Sequence, residues 1–382
     1  MHLYHSDKIM AKNKEVTKPV KLEKWKSKAD KQTPPPPAPM PPDERIGYAI
    51  VGLGHLALEE VIPEIMGCKY SKLAALVSGD EQKMAKVALQ YGVEAESCYT
   101  YETFDELKDN DEVQVIYIIL PNNMHKEFTI RGAKAGKHIL CEKPMANSAA
   151  ECRQMIKACK TAKVKLMIAY RIQYQPHNLH LRELIRTEKF GKVRYIEAAN
   201  GQSSANPQHW RHVAALAGGG ALPDIGIYCL NTTRFLLGAE PTEVFAYQYA
   251  TPGNPLFKDT EELISWQMKF KNGLIASCMA HYKVHEIKTV RIHAERGWMF
   301  LDKAFAYTGQ QLTTARAEDA MTIQETIGIA ETKQFAEEMD HFSQCIINDK
   351  QPDTPGEEGL KDHIIMEAIY QSAQTGRPVK LR

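Results

Sequence analysis

The stretch from Ile46 to Pro63 constrains the fold of this chain more than any other. It reads IGYAIVGLGHLALEEVIP: an apolar run, a turn with two glycines, and the start of an amphipathic helix. Such an apolar run is typical of a strand buried on both faces. Gly52 permits a tight turn, Gly54 lets the backbone approach a phosphate, and Ala57 allows close helix packing. The pattern favours a dinucleotide site, although a plain strand–helix turn would also use these glycines.

The alternation of apolar runs with helical stretches continues to about Tyr170. Further strands are predicted at Leu73–Val77, Val113–Leu120, His138–Cys141 and Val164–Tyr170. This pattern is typical of a parallel sheet with helices on both faces. Three of these strands end in polar clusters, which are Ser78-Gly79-Asp80, Pro121-Asn122 and Glu142-Lys143-Pro144. Because ligands bind at the carboxyl ends of parallel strands, the clusters are expected to converge on one crevice.

The first cluster bears on the choice of dinucleotide. An acidic residue at this strand end would bind a ribose 2′-hydroxyl and repel a 2′-phosphate. Here the strand ends in Ser78, and Lys83 lies one turn into the next helix. A hydroxyl and an ammonium group favour NADP, while the displaced Asp80 leaves NAD open.

Beyond Tyr170 the hydrophobic pattern has a period of two. Glu262–Phe270 alternates apolar and polar residues, Asn272-Gly273 follows, and Leu274–Tyr282 resumes as a strand, which predicts a hairpin with a type I′ turn. Alternation on one face indicates a large, open, mostly antiparallel sheet. We therefore expect an α/β N-terminal Rossmann domain and an α+β C-terminal domain. The predicted segments are a lysine- and proline-rich arm (1–43), a dinucleotide-binding domain (44–170) and a substrate-binding and oligomerisation domain (171–382).

Composition narrows the classes of function. The 382 residues suffice for two domains, and a hydrophobic content of 43% is typical of a globular protein. The first 33 positions hold nine lysines against four acids, so the remainder is mildly acidic, and no nucleic-acid partner is expected. Eight cysteines without a C-x-x-C pair indicate buried thiols in a reducing compartment. With no membrane-length apolar run, the expected location is the cytoplasm, or the periplasm if a leader precedes the chain.

Two stretches hold candidate catalytic residues. Lys143 follows a predicted strand and could donate to a substrate oxygen or exchange a proton, or it could be an ordinary surface lysine. Three glycines precede a helix on which Asp224 and Tyr228 lie four residues apart, and so on one face. A glycine loop before a core helix would explain this spacing equally well. Trp210-Arg211 offers a stacking surface and a cation, which are also common in plain packing.

Taken together, these motifs resemble the Gfo/Idh/MocA oxidoreductases. The resemblance runs from about Pro39 to the C-terminus, through GYAIVGLG, ALVSG, VIYIILPN, AGKHILCEKPMA, LAGGGALPDIGIY and PGEEG. Within the family it is to the glucose–fructose and aldose–aldose oxidoreductase branch, because Tyr228 stands where most members have His. The resemblance implies a Rossmann domain followed by a large, mostly antiparallel sheet that often forms homodimers or homotetramers.

The resemblance also implies an activity and a set of site residues. Hydride passes between C1 of a glucose-like aldose and a nicotinamide, with Lys143, Asp224 and Tyr228 as catalytic residues. These three and Tyr170 are expected to bind the sugar, and no metal is expected. The residues expected to bind the cofactor are Gly52, Leu53, Gly54, Ala57, Ser78, Lys83, Leu120, Pro121, Asn122, His125, Glu142, Lys143, Arg171, Trp210 and Arg211.

In this branch the cofactor stays bound and reduces a second sugar, fructose or an aldose, and an N-terminal arm covers the nucleotide. The Pro34–Pro42 connector could be such an arm. Two other functions are open: an NAD-dependent glycosidase on the same fold, and a non-catalytic dinucleotide-sensing regulator. The identity of the sugar depends on pocket shape, which residue types do not specify.

Overall fold

A computed structural model describes residues 39–204, 206 and 209–381, so nearly all of the arm predicted over residues 1–43 lies outside the described residues. The strands of the first half are β1 (Ile46–Val51), β2 (Ser71–Val77), β3 (Cys98–Tyr99), β4 (Val115–Ile118), β5 (His138–Glu142) and β6 (Leu166–Ala169). All of them pair in parallel, in the order β3-β2-β1-β4-β5-β6. This is the strand order of a Rossmann fold, with its crevice where the order reverses between β1 and β4. The predicted α/β N-terminal domain is confirmed.

Helices connect these strands and cover the sheet. A π-helical turn (Ala57–Val61) leads into α1 (Ile62–Ile65), and the others are α2 (Glu81–Tyr91), α3 (Asn122–Lys134) and α4 (Ala149–Ala162). Gly92 ends α2 in the left-handed conformation that glycine adopts most readily. Ser148 caps α4 by accepting a hydrogen bond from the Glu151 amide. Local sequence signals therefore set the ends of these helices.

The second half forms a nine-stranded sheet within the described residues. Its strands are β7 (Val193–Ser203), β8 (Pro241–Tyr249), β9 (Leu263–Phe270), β10 (Ile275–His281), β11 (Lys283–Ala294), β12 (Gly297–Asp302), β13 (Gln311–Glu318), β14 (Met321–Ile327) and β15 (Val379–Lys380). The order is β14-β13-β12-β11-β7-β10-β9-β8-β15, and every pair is antiparallel except β7 with β10. The predicted large, mostly antiparallel sheet is confirmed.

The turn between β9 and β10 differs from the prediction. A type I′ turn needs a positive φ at both central residues, but Gly273 has a φ of 83° and Asn272 stays in the negative region. The Asn272 side chain instead accepts a hydrogen bond from the Leu274 amide at 3.2 Å. This Asx-type bond, together with a bond from the Gly273 amide to the Phe270 carbonyl, closes a longer loop with one left-handed glycine. The predicted hairpin exists, but its predicted turn type was wrong.

The helices of the second half pack on both domains. They are α5 (Pro176–Arg186), α6 (Ala214–Ala217), α7 (Ile227–Leu237) after a π-helical turn (Leu222–Gly226), α8 (Gln334–Ile347) and α9 (Gly356–Thr375). Helix α9 contacts the Rossmann domain through His363, whose ring accepts a hydrogen bond from the Ala146 amide, and through Glu367, which accepts one from the Ala149 amide. No helix among the described residues combines the length and apolar character needed to cross a membrane.

Helix α8 follows the large sheet in sequence but packs against the Rossmann sheet. Phe335, Met339 and Phe342 lie in one buried cluster with Tyr48 and Tyr117. The Tyr48 hydroxyl donates to the Met339 carbonyl oxygen at 2.8 Å. The chain therefore returns to complete the core of its first domain.

Asp340 on α8 holds the start of β2. Its carboxylate accepts hydrogen bonds from the Lys69 amide (2.7 Å), the Tyr70 amide (2.9 Å) and the Ser71 hydroxyl (2.9 Å). Since Asp340 and Ser71 are buried, removing the carboxylate would leave donors without partners.

We expect Asp340→Ala to lower the free energy of unfolding by about 2–3 kcal/mol, because buried donors lose their acceptor. Urea denaturation followed by circular dichroism measures this. The matched control is Glu337→Ala, an exposed position on the same helix, which should change stability by less than about 0.5 kcal/mol. Equal effects of the two substitutions would show that Asp340 does not anchor β2.

Candidate active site

The glycine turn after β1 has the geometry that a dinucleotide needs. Gly52 has a φ of 96°, and a Cβ there would lie 2.3 Å from the Ile119 carbonyl oxygen, so only glycine fits. A Cβ on Gly54 would meet no atom within 4 Å, which leaves that side of the backbone open to a ligand. Ala57 and Leu53 are buried in the core beneath the turn. The predicted Leu53 contact could therefore come only from its backbone.

The end of β2 carries the residues expected to select the nucleotide. The buried Ser78 hydroxyl accepts a hydrogen bond from the Asp80 amide at 3.0 Å. Asp80 caps α2 through Oδ1, which accepts from the Lys83 amide, and its Oδ2 lies 3.8 Å from Lys83 Nζ. The Asp80 carboxylate is thus occupied by the helix cap and by a nearby ammonium group. Lys83 keeps a half-exposed side chain at this edge.

The residues after β4 that were predicted to bind the cofactor mostly form hydrogen bonds within the protein. The His125 ring is fully buried, and its nitrogens lie 2.8 Å from the Leu120 carbonyl oxygen and 2.9 Å from the Pro144 carbonyl oxygen. Burial lowers the pKa of His125, so the neutral ring donates to one of these carbonyls at a time. The cofactor contact predicted for His125 stays a prediction, and the His125 side chain, which has no accessible surface, holds the two carbonyl groups beside the crevice.

Asn122 is also turned into the protein. Its amide group donates to the Ala217 carbonyl oxygen at 2.9 Å and so ties the strand end to the segment before the glycine loop. Pro121 stays partly accessible at the start of α3. Among the residues predicted to bind the cofactor after β4, Pro121 and the backbone beside it are the parts that could contact a nucleotide.

Lys143, Asp224 and Tyr228 meet at the carboxyl end of β5. Lys143 Nζ donates to the Asp224 carbonyl oxygen at 2.8 Å and lies 3.8 Å from Asp224 Oδ1. The same nitrogen lies 4.6 Å from the centre of the Tyr228 ring. The side chains of Lys143 and Asp224 are 11% and 14% exposed, which leaves one edge of the pair accessible. Residues 81 positions apart thus form one site.

Two further groups saturate the Asp224 carboxylate. Arg211 Nε donates to Oδ1 at 2.9 Å, and the Tyr282 hydroxyl donates to Oδ2 at 2.7 Å. Burial by itself would raise the pKa of Asp224, but Arg211, Lys143 and the Tyr282 hydrogen bond outweigh it and hold that pKa well below its ordinary value. Asp224 therefore stays ionised and orients its neighbours, and it is not a proton acceptor at neutral pH.

The glycine loop before Asp224 is held by hydrogen bonds to Glu261, a residue that the sequence did not indicate. Glu261 accepts hydrogen bonds from the Gly220 and Leu222 amides and from the Tyr370 hydroxyl, each at 2.8 Å. A Cβ on Gly219 would lie 2.0 Å from the Tyr370 hydroxyl oxygen. The glycines are thus needed for close contact with α9 and Glu261, as the structural alternative for this loop expected.

Arg171 and Glu142 support the site from behind. The buried Arg171 guanidinium donates to the Phe305 carbonyl oxygen at 2.6 Å and packs 5.1 Å from the Tyr228 ring centre. Glu142 accepts hydrogen bonds from the Tyr117 hydroxyl and from the Lys143 amide. The cofactor contacts predicted for these two residues stay predictions; both side chains are buried, Arg171 against the Tyr228 ring and Glu142 against the Lys143 amide.

The residues predicted to bind the sugar lie around a cavity. A narrow cavity is lined by Lys143, Tyr170, Ile172, Ile227, Tyr228, Asn231 and Thr232. The Tyr228 ring stacks on Phe305 with ring centres 5.9 Å apart. The partly exposed Arg211, which binds Asp224, packs over the Trp210 ring at 4.5 Å. The cavity thus presents the Lys143 ammonium group and the Tyr228 ring, and the Asp224 carboxylate lies beside Lys143.

The fold and its glycine turn define a dinucleotide-binding enzyme of the oxidoreductase type. The chain belongs to the Gfo/Idh/MocA family. Residues 46–170 match its oxidoreductase-family, NAD-binding Rossmann fold domain, and residues 182–381 match its C-terminal alpha/beta domain. The expected family membership is therefore confirmed.

Three known proteins show the range of similarity. An aldose-aldose oxidoreductase from Caulobacter crescentus, solved with glycerol, is 42% identical, with a TM-score of 0.85 over 88% of this chain and 100% of its own. D-xylose 1-dehydrogenase [NADP(+)] from Haloarcula marismortui is 29% identical over 89% of this chain and 94% of its own. Levoglucosan dehydrogenase, solved with NADH and levoglucosan, is 22% identical, with a TM-score of 0.78 over 88% of this chain and 99% of its own. That last likeness shows the shared fold.

We expect Gly54→Ala to weaken NADP binding without disturbing the fold, because the added methyl group points into the open crevice. Fluorescence titration should show a rise of about tenfold or more in the NADP dissociation constant, with an unchanged thermal midpoint. Gly328→Ala is the matched control. Gly328 is also exposed, and a Cβ there would meet no atom within 4 Å, but it directly follows β14 and is far in sequence from the glycine turn. Unchanged affinity in Gly54→Ala would show that the nucleotide does not cross this glycine.

Proposed function

We propose that this chain is an NADP-dependent sugar oxidoreductase that oxidises C1 of a glucose-like aldose and passes the hydride to a second sugar. One observation carries the proposal: Lys143, Asp224 and Tyr228 converge at the end of β5, on the sheet edge that also holds the glycine turn. The printed names of the Caulobacter and Haloarcula proteins support a sugar as the substrate.

The preference for NADP rests on the end of β2. Asp80 is committed to capping α2, so it is not free to bind a ribose 2′-hydroxyl. Lys83 and Ser78 lie where a 2′-phosphate would need a cation and a hydroxyl. Gly52 and Gly54 fit the pyrophosphate, which would sit at the helix N-terminus. NAD remains the alternative if the cap at Asp80 opens.

The proposed chemistry separates hydride from proton. A bound nicotinamide supplies the hydride acceptor. At C1 of the sugar the C–H bond breaks with its electron pair while the hydroxyl loses a proton, which leaves a lactone carbonyl. The Asp224 backbone and carboxylate position Lys143 Nζ for a hydrogen bond with the C1 oxygen. The hydroxyl proton passes either to Lys143 in its neutral amine form or to Tyr228 in its phenolate form, and in the second case the Lys143 ammonium group donates to the C1 oxygen. Arg211 and Tyr282 keep Asp224 in its ionised, orienting role.

We expect the purified protein, with no cofactor added, to gain the absorbance and fluorescence of reduced nicotinamide when glucose is added. The signal should disappear when fructose or a second aldose follows, because the retained cofactor passes its hydride on. If the signal appears only after free NADP is supplied, the protein is a conventional dehydrogenase, as the name of the Haloarcula relative suggests. No signal under either condition would contradict the oxidoreductase proposal.

Variants in the same assay identify the proton acceptor. Lys143→Met and Tyr228→Phe each remove one candidate while keeping its bulk, and the essential group should lower kcat by about 10²–10⁴-fold. Lys157→Met, at an exposed position on α4, is the matched control and should retain full activity. If both site variants keep wild-type kcat, the cavity is not the catalytic site.

The open face of the large sheet supports self-association. Alternate residues of β7, β11 and β12 point away from the core, and Tyr195 packs on His293 with ring centres 5.9 Å apart. On the same face the Arg291 guanidinium lies 4.8 Å from the Trp298 ring. Partly exposed aromatic rings on a broad sheet favour contact with a second copy of this chain.

We expect a homodimer or homotetramer that Trp298→Glu dissociates, because a buried carboxylate would be unpaired in the interface. Light scattering after size-exclusion chromatography measures the mass. Leu89→Glu is the control, because Leu89 is 86% exposed on α2, away from the sheet. A monomeric wild-type protein would contradict association through this face.

A further inference from the structure

The large sheet ends in an exposed edge strand. β14 (Met321–Ile327) pairs with β13 on one side, and no strand of the described residues lies on its other side. Five of its seven residues are exposed and the other two are half-buried, and Met321 at its start is 59% exposed. Every second residue of such a strand directs its backbone N–H and C=O groups outward, where they can pair with another strand.

The other three edges of the two sheets are short or covered. β3 and β15 have two residues each, and β15 follows Pro378 and carries Lys380. β6 is covered by the segment before α9: the Ile168 amide donates to the Thr354 carbonyl oxygen at 2.8 Å, and the Thr354 hydroxyl donates to the Ile168 carbonyl oxygen at 2.7 Å. Short strands, proline, lysine and a covering segment are the means by which proteins keep an edge from pairing with another chain.

β14 has none of these protections. Its sequence, MTIQETI, contains no lysine, arginine or proline, and four of its seven residues are β-branched, which favours a strand. Its one charged residue, Glu325, is paired within the chain, because Arg316 Nη1 on β13 lies 3.1 Å from its carboxylate. The outer edge is therefore long, regular and free of an unpaired charge that would repel another strand.

We propose that β14 is an interaction surface for a second copy of this chain, through which two nine-stranded sheets join edge to edge. The two β14 strands would run antiparallel about a two-fold axis, the usual symmetry of a contact between identical chains. The register that pairs all seven residues is centred on Gln324, which then lies opposite its own counterpart. This edge contact adds to the contact proposed for the open face of the sheet and does not depend on it.

The strand is complementary to itself in that register. The facing pairs are Met321 with Ile327, Thr322 with Thr326, and Ile323 with Glu325. Apolar residues face each other at both ends, and two threonines face each other between them. No like charges lie directly opposite, an arrangement that would be destabilising. Self-complementarity of this kind identifies a second copy of the chain as the partner.

The first test is the mass of Gln324→Lys, measured by light scattering after size-exclusion chromatography. Two lysines would lie directly opposite each other on the symmetry axis, so the variant should have half the mass of the wild-type particle. Gln371→Lys, an exposed position on α9, is the matched control and should keep the wild-type mass. A monomeric wild-type protein, or a Gln324→Lys variant of wild-type mass, would overturn the proposal.

A charge exchange then tests the register. Gln324→Glu should also halve the mass, because two carboxylates would face each other. An equimolar mixture of Gln324→Lys and Gln324→Glu should regain the wild-type mass, since each lysine now faces a glutamate. Recovery in the mixture also shows that both variants are folded. Two dissociated variants whose mixture stays dissociated would show that Gln324 does not lie on the axis, and the proposed pairing would be wrong.

Hydrogen exchange distinguishes a second copy from a segment of the same chain. In the wild-type protein, exchange of the peptide covering residues 320–328 should slow as the protein concentration rises, because the outward amides are protected only in the paired form. In Gln324→Lys it should be fast at every concentration. Protection that does not change with concentration would mean that the same chain covers the edge, and this too would overturn the proposal.

These measurements are independent of the other proposals. None of them uses a sugar or a nucleotide, so the edge contact can be tested even if no sugar oxidation is found. Trp298→Glu disrupts the face of the sheet, and Gln324→Lys disrupts its edge. A particle that Trp298→Glu dissociates and Gln324→Lys does not would support the face contact alone and refute the edge contact.

Discussion

The contact between Lys143 and Asp224 is the interaction on which the rest of the site depends. Lys143 comes from the end of a Rossmann strand and Asp224 from the glycine loop of the second domain, and they meet at 2.8 Å. That bond is to the Asp224 backbone carbonyl oxygen, and the Asp224 carboxylate lies 3.8 Å from the same nitrogen in a mostly buried place, where a charge is costly without partners. Arg211 and Tyr282 supply those partners and come from different segments of the second domain. The side chains of the candidate site therefore come from both domains.

Buried polar groups hold several elements of the two domains against one another. Asp340 joins α8 to β2, and Glu261 joins the glycine loop to α9 and β9. Arg234 is nearly inaccessible and pairs with Asp362 and Glu358, also on α9. Removing one partner of such a buried pair leaves an uncompensated charge, so these contacts specify one arrangement of the elements. The final helices therefore connect the two domains rather than extending the second alone.

Much of the architecture was predictable because it depends on local patterns. Apolar runs with glycine or polar ends predicted the Rossmann strands, and period-two alternation predicted the antiparallel sheet. Gly92 and Ser148 set helix ends through their own backbone and side chain. The type I′ turn failed because the Asn272 side chain binds a neighbouring amide, a competition that the Asn-Gly signal does not reveal.

Site residues were predictable where a motif is contiguous and missed where it is assembled. Lys143, Asp224 and Tyr228 lie in recognisable stretches, but Tyr282 is 58 positions from Asp224 and ends an ordinary strand. Glu261, which holds the glycine loop, has no local signal. His125, Glu142 and Arg171 carry family motifs, yet their side chains support the site from the interior because buried carbonyl and hydroxyl groups there need partners.

The sequence by itself determined the glycine turn, the two fold classes and the position of Lys143 at a strand end, because each depends on residues close together in the chain. The tertiary structure decided which side chains reach the crevice, which carboxyl groups are ionised and where α8 packs. These depend on burial and on partners far apart in sequence, and the free energy of a charge is set by what surrounds it. A short stretch of sequence does not show which distant residues will surround a given side chain.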